Sequence, residues 1–427
     1  SSGDRVAKLM PPMILGNTAT ISECLSLDEE NTSGYSKEFY SASEELRKQY
    51  KNDEEAKQII DIALGLEGLR RQDGIHAAAI VISPDTITKF LPIQQKGSNA
   101  EIVTQYEMHT VEQLGLLKMD FLGLRNLSIV DRTLELIGSE SLDIDNLKLD
   151  DEKTFKLFAE GKMTGVFQLE SRVAQSTSRS LKPKRFEDIV ALVALIRPGP
   201  LGAGMHNEFA DRANNRKEIE YLHSDLESIL NETYGVILYQ EQVMQIAEKI
   251  AGFNLQEADN LRVAMGKKIP KVMEEQRKKF TDGAVSNNYS EQFAIELFDQ
   301  IAYFAGYGFN KSHSVPYALL AYQTAYLKAN YPAEYIAACL TAVKRDKDRT
   351  AIFLSEARDM GVKVSTPDIN LSSSDFTVND NEILFGLSAV RNVGDITADK
   401  IVLERESNGH FESCLLYTSP SPRDSMT

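Results

Sequence analysis

The stretch LGLLKMDFLGLRNLSIVD (Leu114–Asp131) contains the transition on which the fold turns. Its first half alternates. In a strand, residues two apart share a face, so Lys118 and Asp120 project together while Met119 and Phe121 face the other way into a core. Gly123 breaks that pattern, and from Leu127 onward the apolar spacing is helical. A carboxylate in an apolar run is costly to bury without partners. Two readings account for it. One is an intrastrand ion pair on a half-exposed sheet. The other is a metal-binding carboxylate beside a phosphate-binding ammonium, because Mg²⁺ prefers oxygen ligands and usually takes one or two carboxylates plus substrate phosphates.

Upstream of this stretch, IHAAAIVISP (Ile75–Pro84) is a short apolar run stopped by proline, and EIVTQYEM (Glu101–Met108) alternates; both read as strands. Still further upstream, roughly Ser41 to Leu69 reads as one charged helix with an apolar stripe. Downstream, helical patterns are punctuated by Gly and Pro at RPGPLGAG (Arg197–Gly204), MGKKIP and AGYGFNKSH. Domain character therefore changes near Arg125, and the chain is expected to be an α+β, multi-domain protein. The last residues, CLLYTSPSPRDSMT, are Ser/Pro-rich and aperiodic, which predicts a disordered or artefactual tail.

A length of 427 residues suggests two to four domains, and 42% hydrophobic with 26% charged residues is ordinary for a globular protein. No apolar run reaches the roughly 18 residues needed to cross a bilayer, so no membrane association is expected. The opening SSGDRVAKLMPP lacks an initiator methionine and a signal-peptide pattern, so the chain is expected to begin inside a larger protein. Cys24, Cys339 and Cys414 form no C-x-x-C pair or disulfide framework, which favours a cytoplasmic setting. A net charge of -16 argues against a uniformly basic nucleic-acid coat but allows a local basic groove. LRVAMGKKIPKVMEEQRKKF (Leu261–Phe280) is the most cationic segment.

Three further loops could carry chemistry. In AGYGFNKSHSVPYALLAYQTAYLKANYP, Asn310, Lys311, Ser312 and His313 precede a helix expected from about Val315 to Lys328. Free N–H groups at that helix start, its dipole and a lysine suit a phosphate; a glycine loop with a Ser cap is the plainer reading. In LRVAMGKK, Arg262 lies on a helix and Lys267 and Lys268 follow Gly266, where cations also simply complement a helix end. In ALIRPGPLGAG, Arg197 stands at a rigid turn. No Walker A sequence, zinc spacing or G-x-S-x-G elbow occurs. One carboxylate strand with separated Gly/Lys/Arg loops suits a polyphosphate and a metal, and so nucleotidyl transfer.

LGLLKMDFLGLRNLSIVD, GVFQLES, FEDIVALVALIRPGPL, YGVILYQEQVMQIA, AMGKK, FAGYGFNKSHSVPYA and YLKANYPAEYIAACL occur in that order. This series closely resembles the C-family of bacterial replicative DNA polymerases, the family of the DNA polymerase III alpha (catalytic) subunit, from about Asp4 to Phe411. The resemblance implies a helical thumb at 1–75, the second segment of a small mixed-sheet palm of nucleotidyltransferase β type at 76–125, and large, mainly helical fingers at 126–412, with 413–427 as the tail. It implies that Asp120 is one of three catalytic carboxylates holding two Mg²⁺ ions and that Lys118 contacts the incoming triphosphate. It places Arg197, Arg262, Lys267, Lys268, Asn310, Lys311 and Ser312 at the nucleotide site, Tyr307 and Phe309 near the nascent base pair, and His313 where it crowds the sugar and disfavours ribonucleotides. The implied reaction is attack of a primer 3′-hydroxyl on a dNTP, with primer-template DNA as partner; sliding clamp, proofreading exonuclease and clamp loader would bind mostly outside this segment.

The sequence also departs from the family pattern. The P-D-x-D-x-D-F motif that carries the other two aspartates is absent, and PDIN (Pro367–Asn370) lies in the wrong chain order. Val263 stands where a second basic residue commonly follows Arg262, and SRVAQSTSRSLKP lacks the usual Gly-Met pair. The chain alone is therefore expected to be inactive. Other functions weighed are a non-catalytic DNA- or nucleotide-binding module and a polyphosphate hydrolase. VGDITADKIV (Val393–Val402) hints at a hairpin-type element.

Overall fold

The computed structural model describes residues 2–13, 18–26, 36–69, 73–95, 97–98, 100–138, 142–267, 270–305 and 308–412. It divides into two compact units, Ser1–Leu124 and Arg125–Thr427. The first contains helices α1 (Ser2–Ala7), α2 (Ile21–Leu25), α3 (Ser36–Ala42), α4 (Glu44–Asn52), α5 (Glu54–Leu66) and α6 (Met108–Gln113). Its strands are β1 (Ala79–Ile82), β2 (Ile93–Gln95), β3 (Ile102–Thr104) and β4 (Leu117–Asp120). The second unit is mainly helical, and the chain as a whole is α+β with small antiparallel sheets.

Where the sequence reads as one helix over 41–69, the structure has the end of α3 followed by α4 and α5. Asp53 adopts extended backbone (φ -124°, ψ 109°) and its Oδ1 accepts from the N–H groups of Glu55 and Ala56 at 3.0 and 3.1 Å, so it starts a new helix instead of continuing the old one. Its other oxygen takes the Arg5 guanidinium at 2.8 Å. Val6, Cys24, Leu46, Ala56 and Ile60 form the small core of these helices.

β1 and β4 pair antiparallel, with Ala79 opposite Asp120 and Val81 opposite Lys118; β2 pairs antiparallel with β3. The ladders among the described residues are all antiparallel pairs. A second expectation is corrected at β4. Met119 and Phe121 do not enter a core but are 39% and 59% exposed, as are Ile80 and Ile82 at 55% and 44%. The small cluster of Leu91, Val111 and Leu116 packs on Val81, which lies on the Lys118 side of the ladder, and so covers only that face.

In the second unit the helices are α7 (Arg125–Ile137), α8 (Glu152–Glu160), α9 (Arg172–Leu181), α10 (Phe186–Leu195), α11 (Pro198–Gly202), α12 (Met205–Ala213), α13 (Glu227–Leu230), α14 (Gln240–Ala251) and α15 (Leu255–Lys267). They continue as α16 (Pro270–Ser286), α17 (Glu291–Ala305), α18 (Lys311–Asn330), α19 (Pro332–Val343), α20 (Lys347–Asp359) and α21 (Asp395–Asn408), with a β5–β6 hairpin at Thr377–Asn379 and Glu382–Leu384. After its acidic first turn α10 is apolar on every side, and it is buried from Asp188 to Leu195. Its Ile189, Leu192 and Leu195 join Ala318, Ala321 and Tyr322 of α18 in one core cluster. A second cluster is built on α14–α17 around Ile246, Leu261, Phe280 and Ile301. A third joins α7, α19, α20 and the hairpin around Ile336, Leu340, Phe353 and Phe376.

RPGPLGAG is not only a turn. Pro198 opens α11, where its missing N–H costs nothing and its fixed φ is already helical. No helix among the described residues is long and apolar enough to cross a membrane. The tail at 413–427 lies outside the described residues.

Candidate functional site

On β4 the alternation does bring Lys118 and Asp120 together. The Lys118 ammonium donates to both Asp120 oxygens, at 2.7 and 2.9 Å. That hydrogen bond holds the Asp120 carboxyl below the usual carboxylate range, against an opposing desolvation effect, with smaller help from the charges of Lys118 and His76. His76 Nδ1 accepts from the Ala78 N–H at 3.2 Å and lies 3.9 Å from Asp120 Oδ1. The Asp120 side chain remains 40% exposed. It is an ionised, accessible carboxylate, and among the described residues no three His, Cys, Asp or Glu side chains stand together as a metal centre.

In the second unit the start of α18 gathers most of the remaining candidates. The helix begins four residues earlier than its apolar pattern suggests, because Asn310 caps it, its Oδ1 accepting from His313 N at 2.8 Å. Phe309 forms a parallel bridge with Tyr239: Gln240 N donates to Phe309 O at 2.9 Å and Phe309 N to Leu238 O at 3.1 Å. Side chains then stack in series. The Arg197 guanidinium lies 4.6 Å from the Phe309 ring centre, Phe309 is 5.5 Å from His313, His313 is 4.3 Å from Tyr317, and Tyr317 is 5.2 Å from Phe167. Arg197, Asn310, Ser312 and His313 are exposed and Phe309 half-buried.

The expected phosphate cradle is already engaged from within. Glu241 accepts from Lys311 N with both oxygens, at 3.0 and 2.9 Å, and from Ser312 N at 3.4 Å. The Lys311 ammonium is gripped by both oxygens of Glu232, at 2.9 and 2.7 Å. Sequence reasoning missed Glu241 and Glu232. They stand 70 and 79 residues from Lys311, and no local spacing signals such a pairing.

Arg262 is on α15, where its Nε donates to Asp259 at 2.8 Å. Lys267 closes that helix, and Lys268 and Tyr307 lie outside the described residues. The cationic segment is also less cationic than it reads, since Arg277 pairs with Asp299 and Lys279 with Glu257. A cavity of 820 Å³ lined by Arg212, Tyr221, Glu296 and Tyr303 contains none of the predicted residues.

Comparison with known proteins assigns both units to one class. Residues 6–123 match the model of the bacterial DNA polymerase III alpha NTPase domain, residues 126–288 that of the bacterial DNA polymerase III alpha subunit finger domain, and residues 361–417 a helix-hairpin-helix motif. The chain is 43% identical over 417 residues to DNA polymerase III subunit alpha of Saccharopolyspora erythraea, covering 96% of this chain and 34% of that protein. To the subunit of Thermus aquaticus it is 47% identical over 378 residues (86% and 31%), and to that of Escherichia coli K12 43% over 421 residues (96% and 35%). These are replicative nucleotidyltransferases by family. The chain belongs to the bacterial DNA polymerase III alpha-subunit family. It spans about a third of the length of the curated relatives it matches.

Proposed function

We propose that this chain is the part of a replicative polymerase that supplies one palm carboxylate and the fingers for template-directed DNA synthesis. The observation that carries this reading is the doubly hydrogen-bonded Lys118–Asp120 pair on an antiparallel strand pair, in a chain whose relatives are DNA polymerase III alpha subunits. In this reading residues 1–75 are thumb, 76–125 the second palm segment and 126–412 fingers. Primer-template DNA and a dNTP are the substrates, and the sliding clamp, clamp loader and proofreading exonuclease the partners of the whole protein.

The residues divide the work by chemistry. Asp120, kept ionised by Lys118, would be one of the oxygen ligands for the Mg²⁺ of the polymerase reaction, which would supply Lewis acidity at a substrate phosphate. Lys118, once the carboxylate is shared, has ammonium hydrogens to give to a triphosphate. At α18, Arg197 and Asn310 present donors at the edge of the Phe309–His313–Tyr317 stack, which suits a nucleotide with its base against the rings and its sugar against His313. Lys311 and the Ser312 N–H act through their carboxylate partners. Base identity is set by template pairing, because groups of this kind contact phosphate, sugar and ring faces rather than base edges.

The test is Asp120→Asn in the full-length protein. Primer extension falls by at least about a thousandfold while primer-template affinity stays within about threefold, as expected for loss of charge at a reacting centre without loss of the DNA-binding surface. Near-normal turnover would remove Asp120 from the metal set. A second reading, a non-catalytic DNA- or nucleotide-binding module, is favoured for the isolated chain because no group of three metal-ligating side chains stands together among the described residues.

A further inference from the structure

We infer that Glu241 is a positioning residue for the nucleotide-facing turn Ser312–His313, setting sugar discrimination from 70 residues away in the chain. This rests on the proposed placement of His313 against the sugar. The first turn of α18 has little apolar material to hold it. Ser312 and His313 are exposed, and only Ser314 is buried, its Oγ donating to Val190 O at 2.7 Å. Pro316 lacks the N–H that would close the turn on the Ser312 carbonyl. What fixes this turn is hydrogen bonding to its N–H groups.

Asn310 takes the His313 and Ser314 N–H groups, and the two before them, of Lys311 and Ser312, are bonded from one short segment far away in the chain. Gln242 accepts from Leu238 N and Tyr239 N, each at 2.9 Å, and its amide donates to Thr233 Oγ1 at 2.8 Å, so the residues before α14 are pinned to a buried side chain. The Tyr239–Phe309 bridge lays the approach to α18 alongside them. Glu241, in the first turn of α14, then reaches across to the Lys311 and Ser312 N–H groups. One segment, Tyr239–Gln242, thus starts its own helix and caps a second. A carboxylate at a helix start is bound by charge-assisted hydrogen bonds and by the dipole, making it a stiff tether. His313 follows two residues after the doubly bonded N–H, so its ring position against Phe309 and Tyr317 depends on that tether.

The full-length polymerase carrying Glu241→Ala, Glu241→Gln or His313→Ala is assayed by single-nucleotide primer extension, with kcat and KM measured for a dNTP and for the matching rNTP. The readout is the ratio of the two kcat/KM values, which a general loss of folded enzyme leaves unmoved because both substrates lose alike. Glu241→Ala lowers the ratio about tenfold, in the range expected when a contacting group shifts by a fraction of an ångström. Glu241→Gln, which keeps one acceptor oxygen, lowers it about threefold on the same grounds and decides the matter if the alanine variant does not fold. If His313→Ala lowers the ratio while both Glu241 variants match the wild type, the positioning role is overturned and the reading of His313 stands. If His313→Ala leaves the ratio unchanged, that reading falls and takes the positioning role with it.

Discussion

Lys328 sits 1% exposed in the third core cluster's neighbourhood, yet its ammonium is fully occupied: it donates to the carbonyls of Lys162 and Thr164 at 2.7 and 2.8 Å and to Glu356 at 2.7 Å. Desolvation pulls its pKa below the usual lysine value, opposed by Glu356. In YLKANYP the residue reads as one more charge on a helix, because local sequence carries no record of two carbonyls some 165 positions away. Lys328→Met should lower unfolding free energy by about 3–5 kcal/mol, the range for breaking one side of a buried pair. Lys328→Met with Glu356→Leu should recover much of that loss, both read by urea unfolding. Asp120 is the opposite case: its partner is two residues away, so strand alternation alone was enough to pair it with Lys118. Whether that pair is a surface ion pair or half of a metal site depends on groups that alternation cannot see.

At the scale of elements, pattern located β1, β3 and β4 and the helical character after Leu127 but not β2, β5 or β6, and caps decided where helices end. Asp53 divides α4 from α5 within one apparent helix, and Asn310 with Glu241 starts α18 ahead of its apolar pattern. The hairpin-type element suggested by VGDITADKIV corresponds to α21 and the helix-hairpin-helix match, and here side chains bind elements together. Lys344, just past α19, donates to Asp375 at 2.6 Å, Asp395 at 2.5 Å and Ser388 at 3.0 Å, while Arg345 takes the other Asp395 oxygen at 2.6 Å. These hydrogen bonds lower the Asp395 pKa from 3.8 to about 2, the Lys344 bond contributing most. A carboxylate whose folded pKa lies below its unfolded value stabilises fully above the unfolded value and loses that contribution as pH falls through the folded one. Amide exchange in 387–408 should therefore speed up as pH drops from about 4 to about 2, beyond the intrinsic exchange rate. In Lys344→Ala that step should shrink, because most of the shift is gone.

At the scale of the molecule, a net charge of -16 means that the proposed binding of DNA must rest on local groups rather than on overall attraction. On the proposed assignment of Asp120, the isolated 427 residues should bind primer-template weakly, with affinity falling as salt rises, and should extend no primer, whereas the full-length protein should extend it. Extension by the isolated chain, in a gel assay with labelled primer and Mg²⁺, would show that the missing aspartates are dispensable. The change of pattern near Arg125 and the division at Leu124–Arg125 coincide, because a switch from period-2 to period-3.6 spacing is written into adjacent residues. The exposed Met119 and Phe121 were not legible in the same way, since an apolar strand face specifies that something should cover it and not what does.

By itself the sequence determined the α+β class, the Lys118–Asp120 pair, the helix-rich second unit and the family, all of which rest on spacing within a few turns or on motif order. Only the tertiary structure decided that α18's first N–H groups belong to Glu241, that Lys311 answers to Glu232 and that Lys328 is an interior cation. The physical reason is range. Alternation and helical periodicity are set by the backbone between neighbours, whereas hydrogen bonds and ion pairs act over about 3 Å in space and are indifferent to how many residues separate their partners along the chain.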